Sequence, residues 1–200
     1  MRGEAMKRVC ARLQQMGEDL SSFCALEFFA REGDWQTAVY FPKVRSLDVW
    51  EIDPAFRPAL ERNLPGARIT IGNSFELALR PENQGRFDFL VFDNPQGLYG
   101  PKSEYCEHFE ALALVPHLMS QRAWVIFNVN WHPFNYEEKP DWKRRRERYY
   151  GTMDTGSLDM HRLAIWYREM FETMRLRNLL SFSERRNDEY LSYLALKLEK

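Results

Sequence analysis

Short apolar runs alternate with amphipathic segments along most of this chain. The runs are typical of strands buried on both faces of a sheet, and they occupy residues 24–30, 46–53, 67–71, 87–92 and 123–127. Apolar residues at steps of three and four, or a capping residue or proline at the start, predict helices at residues 4–20, 35–41, 54–63, 75–79 and 104–119. This alternation predicts an α/β fold whose parallel sheet has helices on both faces.

The carboxyl-terminal third has a different pattern. Residues 131–156 are rich in Trp, Tyr, Pro and basic side chains, and we interpret them as an insertion after the fifth strand. A helix is predicted over residues 158–174. The runs at 177–182 and 190–198 are joined by a polar turn, which predicts an antiparallel hairpin. We expect residues 1–200 to form one domain.

Composition and charge restrict the class of protein. With 200 residues, of which 44% are hydrophobic and 28% charged, the chain is typical of a soluble globular domain. Its net charge of -1 provides no general attraction to nucleic acid or membrane. No apolar run approaches the roughly 20 residues that cross a bilayer, so we expect no membrane association. Three scattered cysteines without metal-binding spacing suit a reducing compartment, which predicts a cytoplasmic protein without a metal site.

Polar and turn-forming residues follow each of the first four predicted strands. They are the segments Glu27–Gly33, Glu51–Asp53, Gly72–Ser74 and Asp93–Pro95. Ligands of open parallel sheets bind outside the carboxyl ends of the strands. A nucleoside needs an acid for its ribose hydroxyls, an apolar side chain against adenine and a polar group at the exocyclic amine. The strand ends offer all three.

This layout resembles that of the class I S-adenosylmethionine-dependent methyltransferases over residues 20–130 and the closing hairpin. The resemblance implies a three-layer α/β/α sandwich, a mostly parallel seven-stranded sheet with an antiparallel last strand, and S-adenosylmethionine as cofactor. The first loop of such enzymes has the pattern acid-x-Gly-x-Gly-x-Gly. Here Glu27 and Gly33 keep the outer positions, while Phe29 and Arg31 replace two glycines. We expect Arg31 to narrow the methionine end of the pocket.

The same resemblance implies a role for each strand end. Glu51 would hold the ribose through charge-assisted hydrogen bonds, Ile52 would lie against adenine, and Asn73 would hydrogen-bond to adenine. The alternatives are a strand end with a capping Asp53 and a plain turn at Asn73. The implied cofactor contacts are Glu27, Phe29, Ala30, Gly33, Glu51, Ile52, Asn73, Ser74 and Asp93.

The segment Asp93-Asn94-Pro95-Gln96 is similar to the Asp-Pro-Pro-Tyr loop of amino-methyltransferases. In that loop the acid and a backbone carbonyl accept hydrogen bonds from the target amine, and the aromatic ring stacks on it. The resemblance makes Asp93, Asn94 and Pro95 the catalytic candidates, which would align the acceptor. Tyr99 is the candidate for the missing ring. The alternative is an Asp93 that only hydrogen-bonds to its own loop.

The insertion provides the candidate substrate contacts. Trp131 offers a stacking ring, and Arg144, Arg145 and Arg146 offer a positive patch, a combination that binds single-stranded nucleic acid. A DNA or RNA base is therefore the preferred acceptor. The alternative is a solvated helix face whose charge is neutralised by neighbouring glutamates.

Two functions of different classes remain open. The first is a methyltransferase. The second is a methyltransferase-like binding or partner module without catalysis, which the degenerate glycine loop favours. The side chain of Arg31 distinguishes them, since an outward direction favours the enzyme and a side chain that fills the methionine pocket favours the binding module.

Overall fold

A computed structural model describes residues 3–93, 95–131, 138–151, 158–186 and 191–200. Its strands are β1 (Cys24–Phe28), β2 (Ser46–Glu51), β3 (Arg68–Ile71), β4 (Phe87–Phe92), β5 (Leu98–Tyr99), β6 (Tyr105–Cys106), β7 (Met119–Asn130), β8 (Arg177–Arg185) and β9 (Leu191–Glu199). Seven of them form one sheet in the order β3-β2-β1-β4-β7-β9-β8, and β5 pairs with β6 in a small second sheet.

Strand direction confirms the predicted fold. Strands β1 to β4 and β7 are parallel to one another, whereas β9 lies antiparallel between β7 and β8. Phe28 at the end of β1 is in register with Trp50 of β2 and Phe92 of β4. The carboxyl ends of these three strands therefore lie at one level and form a common edge.

Helices cover both faces of the sheet. They are α1 (Glu4–Gln15), α2 (Thr37–Tyr40), α3 (Arg57–Asn63), α4 (Ser74–Ala78), α5 (Val115–Leu118), α6 (Pro140–Tyr150) and α7 (Met160–Thr173). Single 3₁₀ turns occupy Leu20–Ser22, Phe41–Lys43, Pro54–Phe56, Pro81–Asn83 and Glu110–Leu114. None of the helices within the described ranges is both long and apolar enough to span a bilayer.

Side chains that alternate along each strand divide the core into two layers. Phe28, Trp50 and Phe92 belong to the layer that includes residues of α7, and Val49 and Val91 belong to the layer that includes residues of α1. Because both faces of the sheet are covered, we expect a ligand to approach at the edge formed by the carboxyl ends of the strands.

The predicted helix over residues 104–119 is wrong. This stretch forms β6, a 3₁₀ turn and the short helix α5. Glu107 has a φ of 51°, a left-handed conformation that does not continue a right-handed helix, and its N–H donates to the carbonyl of Gly97 at 2.8 Å. The fifth strand is longer than predicted, because β9 pairs with residues 122–130 of β7.

Candidate active site at the carboxyl edge of the sheet

The loop after β1 has an unusual backbone. Phe29, Arg31 and Gly33 have φ angles of 60°, 53° and 66°. Glycine adopts this left-handed region freely, whereas other residues lose about 1–2 kcal/mol there. These are the three positions at which the methyltransferase pattern has glycine. The backbone thus has the conformation that favours glycine at all three positions, although two of them hold other residues.

Glu51 holds this loop in place from the end of β2. Its Oε2 accepts the N–H of Arg31 at 2.7 Å, and its Oε1 accepts the N–H of Asp53 at 2.9 Å. The side chain is only 5% exposed. A carboxylate offers about four lone-pair sites, so these two bonds leave acceptor capacity for further donors.

A cavity of about 300 Å³ lies between this loop, the start of α2, the end of β4 and the β8–β9 hairpin. Of the predicted cofactor residues, Glu27, Ala30, Gly33 and Asp93 line it. Four acidic side chains and two arginines, Arg31 and Arg186, contribute to the lining. The cavity is therefore polar, with more acids than bases.

Two buried carboxylates occupy its deepest part. Glu27 accepts a hydrogen bond from the hydroxyl of Tyr40. Burial raises the pKa of Glu27 well above its usual value, and the nearby negative charge of Asp93 raises it further. Asp93 accepts the hydroxyl of Tyr193 at 2.7 Å and pairs with Arg186 at 3.1 Å. Burial also raises the pKa of Asp93, although Arg186 and Tyr193 oppose this rise.

Arg31 does not fill the cavity. Its side chain is 62% exposed, and its guanidinium lies 3.7 Å from the Glu32 carboxylate and 5.8 Å from the centre of the Phe56 ring. The outward direction is the arrangement that favours the enzyme over the binding module.

The other predicted cofactor residues lie along the neighbouring strand ends. Ile52 is 65% exposed, and neither it nor Glu51 is part of the cavity lining. Asn73 accepts the N–H of Phe75 at 3.0 Å and so caps α4, and the adjacent Ser74 is buried. The capping role of Asn73 was not predicted, and its hydrogen bond to adenine stays a prediction.

Phe29 and Tyr99 belong to a ring cluster above the edge of the sheet. The ring centres of Phe29 and Tyr99 are 5.6 Å apart, and those of Tyr99 and Tyr105 are 5.2 Å apart. The buried hydroxyl of Tyr99 has no hydrogen-bond partner among the described residues. Pro95 is half-buried, whereas Asn94 lies outside the described residues.

The prediction of a basic substrate-binding patch is wrong for Arg146. This side chain is fully buried and forms an ion pair with Glu107, and it also donates to the carbonyl of Asn130 at 2.6 Å. The physical reason is the packing of α6, whose inner face carries Arg146 against an acid from a distant loop. A buried guanidinium cannot contact a phosphate backbone.

The other two arginines of the run are also paired with acids. Arg145 lies 3.0 Å from Glu110, and the exposed Arg144 pairs with Asp141 one helical turn away. Trp131 is half-buried with the guanidinium of Arg185 5.3 Å from its ring centre. The remainder of the aromatic stretch, residues 132–137, lies outside the described residues.

Sequence reasoning missed Arg186, Tyr193 and Tyr40, three of the partners of the buried acids. Arg186 stands in a polar turn that predicted only a hairpin. The pairing of β9 with β7 brings the hairpin to Asp93. The antiparallel last strand that the resemblance implies is the sequence signal from which this neighbourhood could have been predicted. In the described part of the chain, no group of three or more His, Cys, Asp or Glu side chains is placed to hold a metal ion.

Solved structures resemble this fold, although no family model and no curated protein matches the sequence. The 1,6-didemethyltoxoflavin-N1-methyltransferase of Burkholderia thailandensis, with bound 1,6-didemethyltoxoflavin and S-adenosylhomocysteine, aligns with 99% of this chain and 79% of its own (14% identity, TM-score 0.59). A candidate methylase of Haemophilus influenzae aligns over 98% and 99% (14% identity, TM-score 0.56).

A candidate transferase of Pyrococcus horikoshii aligns with the whole chain at 10% identity and a TM-score of 0.55, and this chain spans 64% of its length. Identities this low establish the fold alone. The strand order, the antiparallel β9 and these alignments agree that the chain has the fold of the class I S-adenosylmethionine-dependent methyltransferases.

Proposed function

We propose that this protein is an S-adenosylmethionine-dependent methyltransferase. The observation that carries the proposal is the left-handed backbone at Phe29 and Arg31, fastened by the Glu51 carboxylate. Strained backbone of this kind persists where the surrounding structure enforces it, and it concentrates at ligand sites.

The charges of the cavity suit this cofactor. S-adenosylmethionine carries a sulfonium, an ammonium and one carboxylate. The acidic excess around Glu27 and Asp93 favours the positive groups. Ile52 and Trp35, at 65% and 46% exposure, are large apolar side chains near the first loop with surface left for an adenosine. Two structural neighbours were crystallised with S-adenosylhomocysteine.

We assign the following parts to the chain. Glu51 holds the ribose and Ile52 lies against adenine. When bound, the cofactor supplies a methyl group that its positive sulfur makes electrophilic. Asp93, fixed by Tyr193 and Arg186, accepts a hydrogen bond from the acceptor and directs the acceptor's lone pair. The backbone around Asn94 and Pro95 assists, and this positioning is the main contribution a protein makes to an in-line displacement.

The acceptor proposed is a nitrogen or oxygen nucleophile that reaches Asp93. Nucleic acid gains no support from the arginines of α6, since Arg144, Arg145 and Arg146 are each paired with an acid. The outward direction of Arg31 argues against the binding module without catalysis.

Titration calorimetry with S-adenosylmethionine and S-adenosylhomocysteine tests the proposal. We expect both to bind, and we expect Glu51→Gln to weaken binding at least about tenfold, because the amide accepts fewer hydrogen bonds and releases the loop. Glu61→Gln is the matched control on α3, where Glu61 pairs with Arg57 on the surface, and should bind like the wild type. Absence of heat with both ligands at millimolar concentration would contradict the proposal.

A further inference from the structure

Two buried carboxylates share the cavity, but Arg186, whose side chain is 10% exposed, pairs with only one of them. Glu27 of β1 is in register with Val91 of β4, two residues before Asp93, so the two acids come from neighbouring positions of adjacent parallel strands. Arg186 forms its ion pair with Asp93. Glu27 instead accepts hydrogen bonds from the hydroxyl of Tyr40 and from Thr37. The positive charge is thus committed to one acid and the other receives neutral donors.

The charged and titratable groups around Glu27 come from five parts of the fold. The first loop contributes Arg31, Glu32 and Asp34. Tyr40 comes from α2, and Cys10 of α1 lies close to Tyr40. Asp93 follows β4, and Arg186 and Tyr193 belong to the hairpin. Burial raises the pKa of Tyr40, and it raises the pKa of Cys10 to about 11, so both are neutral near pH 7. Asp93 is therefore the main charge that acts on Glu27.

We infer that Glu27 keeps a proton in the free protein and releases it when a positively charged group of the ligand enters the cavity. Glu27 thereby selects a cationic cofactor over an uncharged adenosine compound. This inference rests on the proposed function, since it names the property by which the same site chooses its ligand.

The exchange conserves charge in the buried site. The O–H bond of the Glu27 carboxyl group breaks, its proton passes to solvent, and the carboxylate left behind faces the positive group of the ligand. Neither state leaves an additional uncompensated charge in the interior, where such a charge is strongly unfavourable. The raised pKa of Glu27, caused by burial and by Asp93, has the direction that this exchange needs.

Linkage fixes the expected dependence on pH. While Glu27 is protonated in the free protein and ionised in the complex, the association constant rises about tenfold per pH unit. The rise ends above the pKa that Glu27 has in the free protein. Methylthioadenosine lacks both the sulfonium and the ammonium, so its affinity should not depend on pH in this range.

Calorimetry in two buffers of different ionisation enthalpy, at about pH 5, 6 and 7, counts the protons released, because the ligand's own ammonium, with a pKa of about 7.7–8.0, stays charged there. With S-adenosylmethionine we expect about one proton from the wild type and from Glu32→Gln, and none from Glu27→Gln. Glu32 lines the same cavity at 44% exposure and is the matched control. Glutamine at position 27 can still accept the Tyr40 hydroxyl, so the fold should survive.

A second variant covers the case in which Glu27→Gln does not fold. Tyr40→Phe removes a hydrogen bond that lowers the pKa of Glu27. The pH range over which the association constant rises should therefore extend to higher pH. An unmoved range contradicts the inference. Binding of S-adenosylmethionine to the wild type with no proton release also overturns it, while the proposed function stands. Failure of S-adenosylmethionine and S-adenosylhomocysteine to bind removes the proposed function itself.

Discussion

Two regions of this molecule bury charged side chains, and they do so in opposite ways. Under α6, Arg146 pairs with Glu107, whose carboxylate also accepts the indole N–H of Trp142 at 2.9 Å. The neighbouring His108 is neutral, because burial and the charge of Arg146 lower its pKa to about 3. At the edge of the sheet, Glu27 and Asp93 face a cavity in which Arg186 pairs with Asp93 alone.

This difference distinguishes an ion pair that stabilises the fold from a cavity that can bind a ligand. A balanced ion pair enclosed by side chains joins α6 to the loop after β6 and to the end of β7, and it has no group to offer a ligand. An excess of acid at a cavity is unfavourable until something positive enters. Perturbed pKa values mark functional sites only when the geometry provides access as well, and the edge of the sheet combines the two for a pair of acids.

The largest expected effect lies under α6. Arg146→Met should lower the free energy of unfolding by about 3–5 kcal/mol, because it leaves the Glu107 carboxylate buried without its cation. Urea denaturation followed by circular dichroism measures the loss. Arg144→Met is the control in the same helix: its pair with Asp141 is exposed, so the loss should stay below about 1 kcal/mol.

Adding Glu107→Gln to Arg146→Met should restore part of the lost stability, because the double variant buries no net charge. Equal, small losses of stability for Arg146→Met and Arg144→Met would mean that water reaches the Arg146–Glu107 ion pair under α6. The contrast between the two regions would then disappear.

The next effect concerns stability and pH at the edge of the sheet. The folded state raises the pKa of Glu27 above its unfolded value of about 4.3, so between these values the folded protein binds more protons. Wild-type stability should therefore fall relative to Glu27→Gln as pH rises above about 4.3, by up to about 1.4 kcal/mol per unit. Urea midpoints at about pH 5, 6 and 7 measure this difference. Parallel curves would show that Glu27 titrates normally.

Local patterns of apolar and polar residues predicted the fold, because the burial of each strand depends mainly on its own residues. Apolar runs and the acids that follow them mark strands and their carboxyl ends, and the mostly parallel seven-stranded sheet and the antiparallel last strand are confirmed. The pattern failed at residues 104–119, where helical spacing was real but Glu107 adopts a left-handed backbone. Spacing of side chains cannot report a φ angle that a distant hydrogen bond to Gly97 fixes.

The partners of the buried charges could not be predicted, because they are distant in sequence. Arg186 reaches Asp93 only through the pairing of β7 with β9, and Arg146 reaches Glu107 only through the docking of α6. A run of three arginines looks alike whether its members point to solvent or inward. The candidate cofactor residues at the strand ends remain predictions that ligand binding has to test.

The smallest effect tests whether the first loop is strained, which is the part of the comparison that does not depend on charge. Arg31→Gly should raise the free energy of unfolding by about 0.5 kcal/mol, because glycine removes the cost of a φ of 53°. Two smaller losses oppose this gain: glycine loses more chain entropy on folding, and the exposed contact of Arg31 with the Phe56 ring disappears. Arg80→Gly is the control at another exposed turn, where φ is −70° and glycine should destabilise by about 0.5–1 kcal/mol. Thermal unfolding of both variants gives the signs. A gain of stability for Arg31→Gly with a loss for Arg80→Gly would mean that the first loop is held in a conformation that Arg31 disfavours, as expected of backbone that binds a ligand. A loss of stability in both variants would leave the acidic cavity as the remaining argument for a binding site.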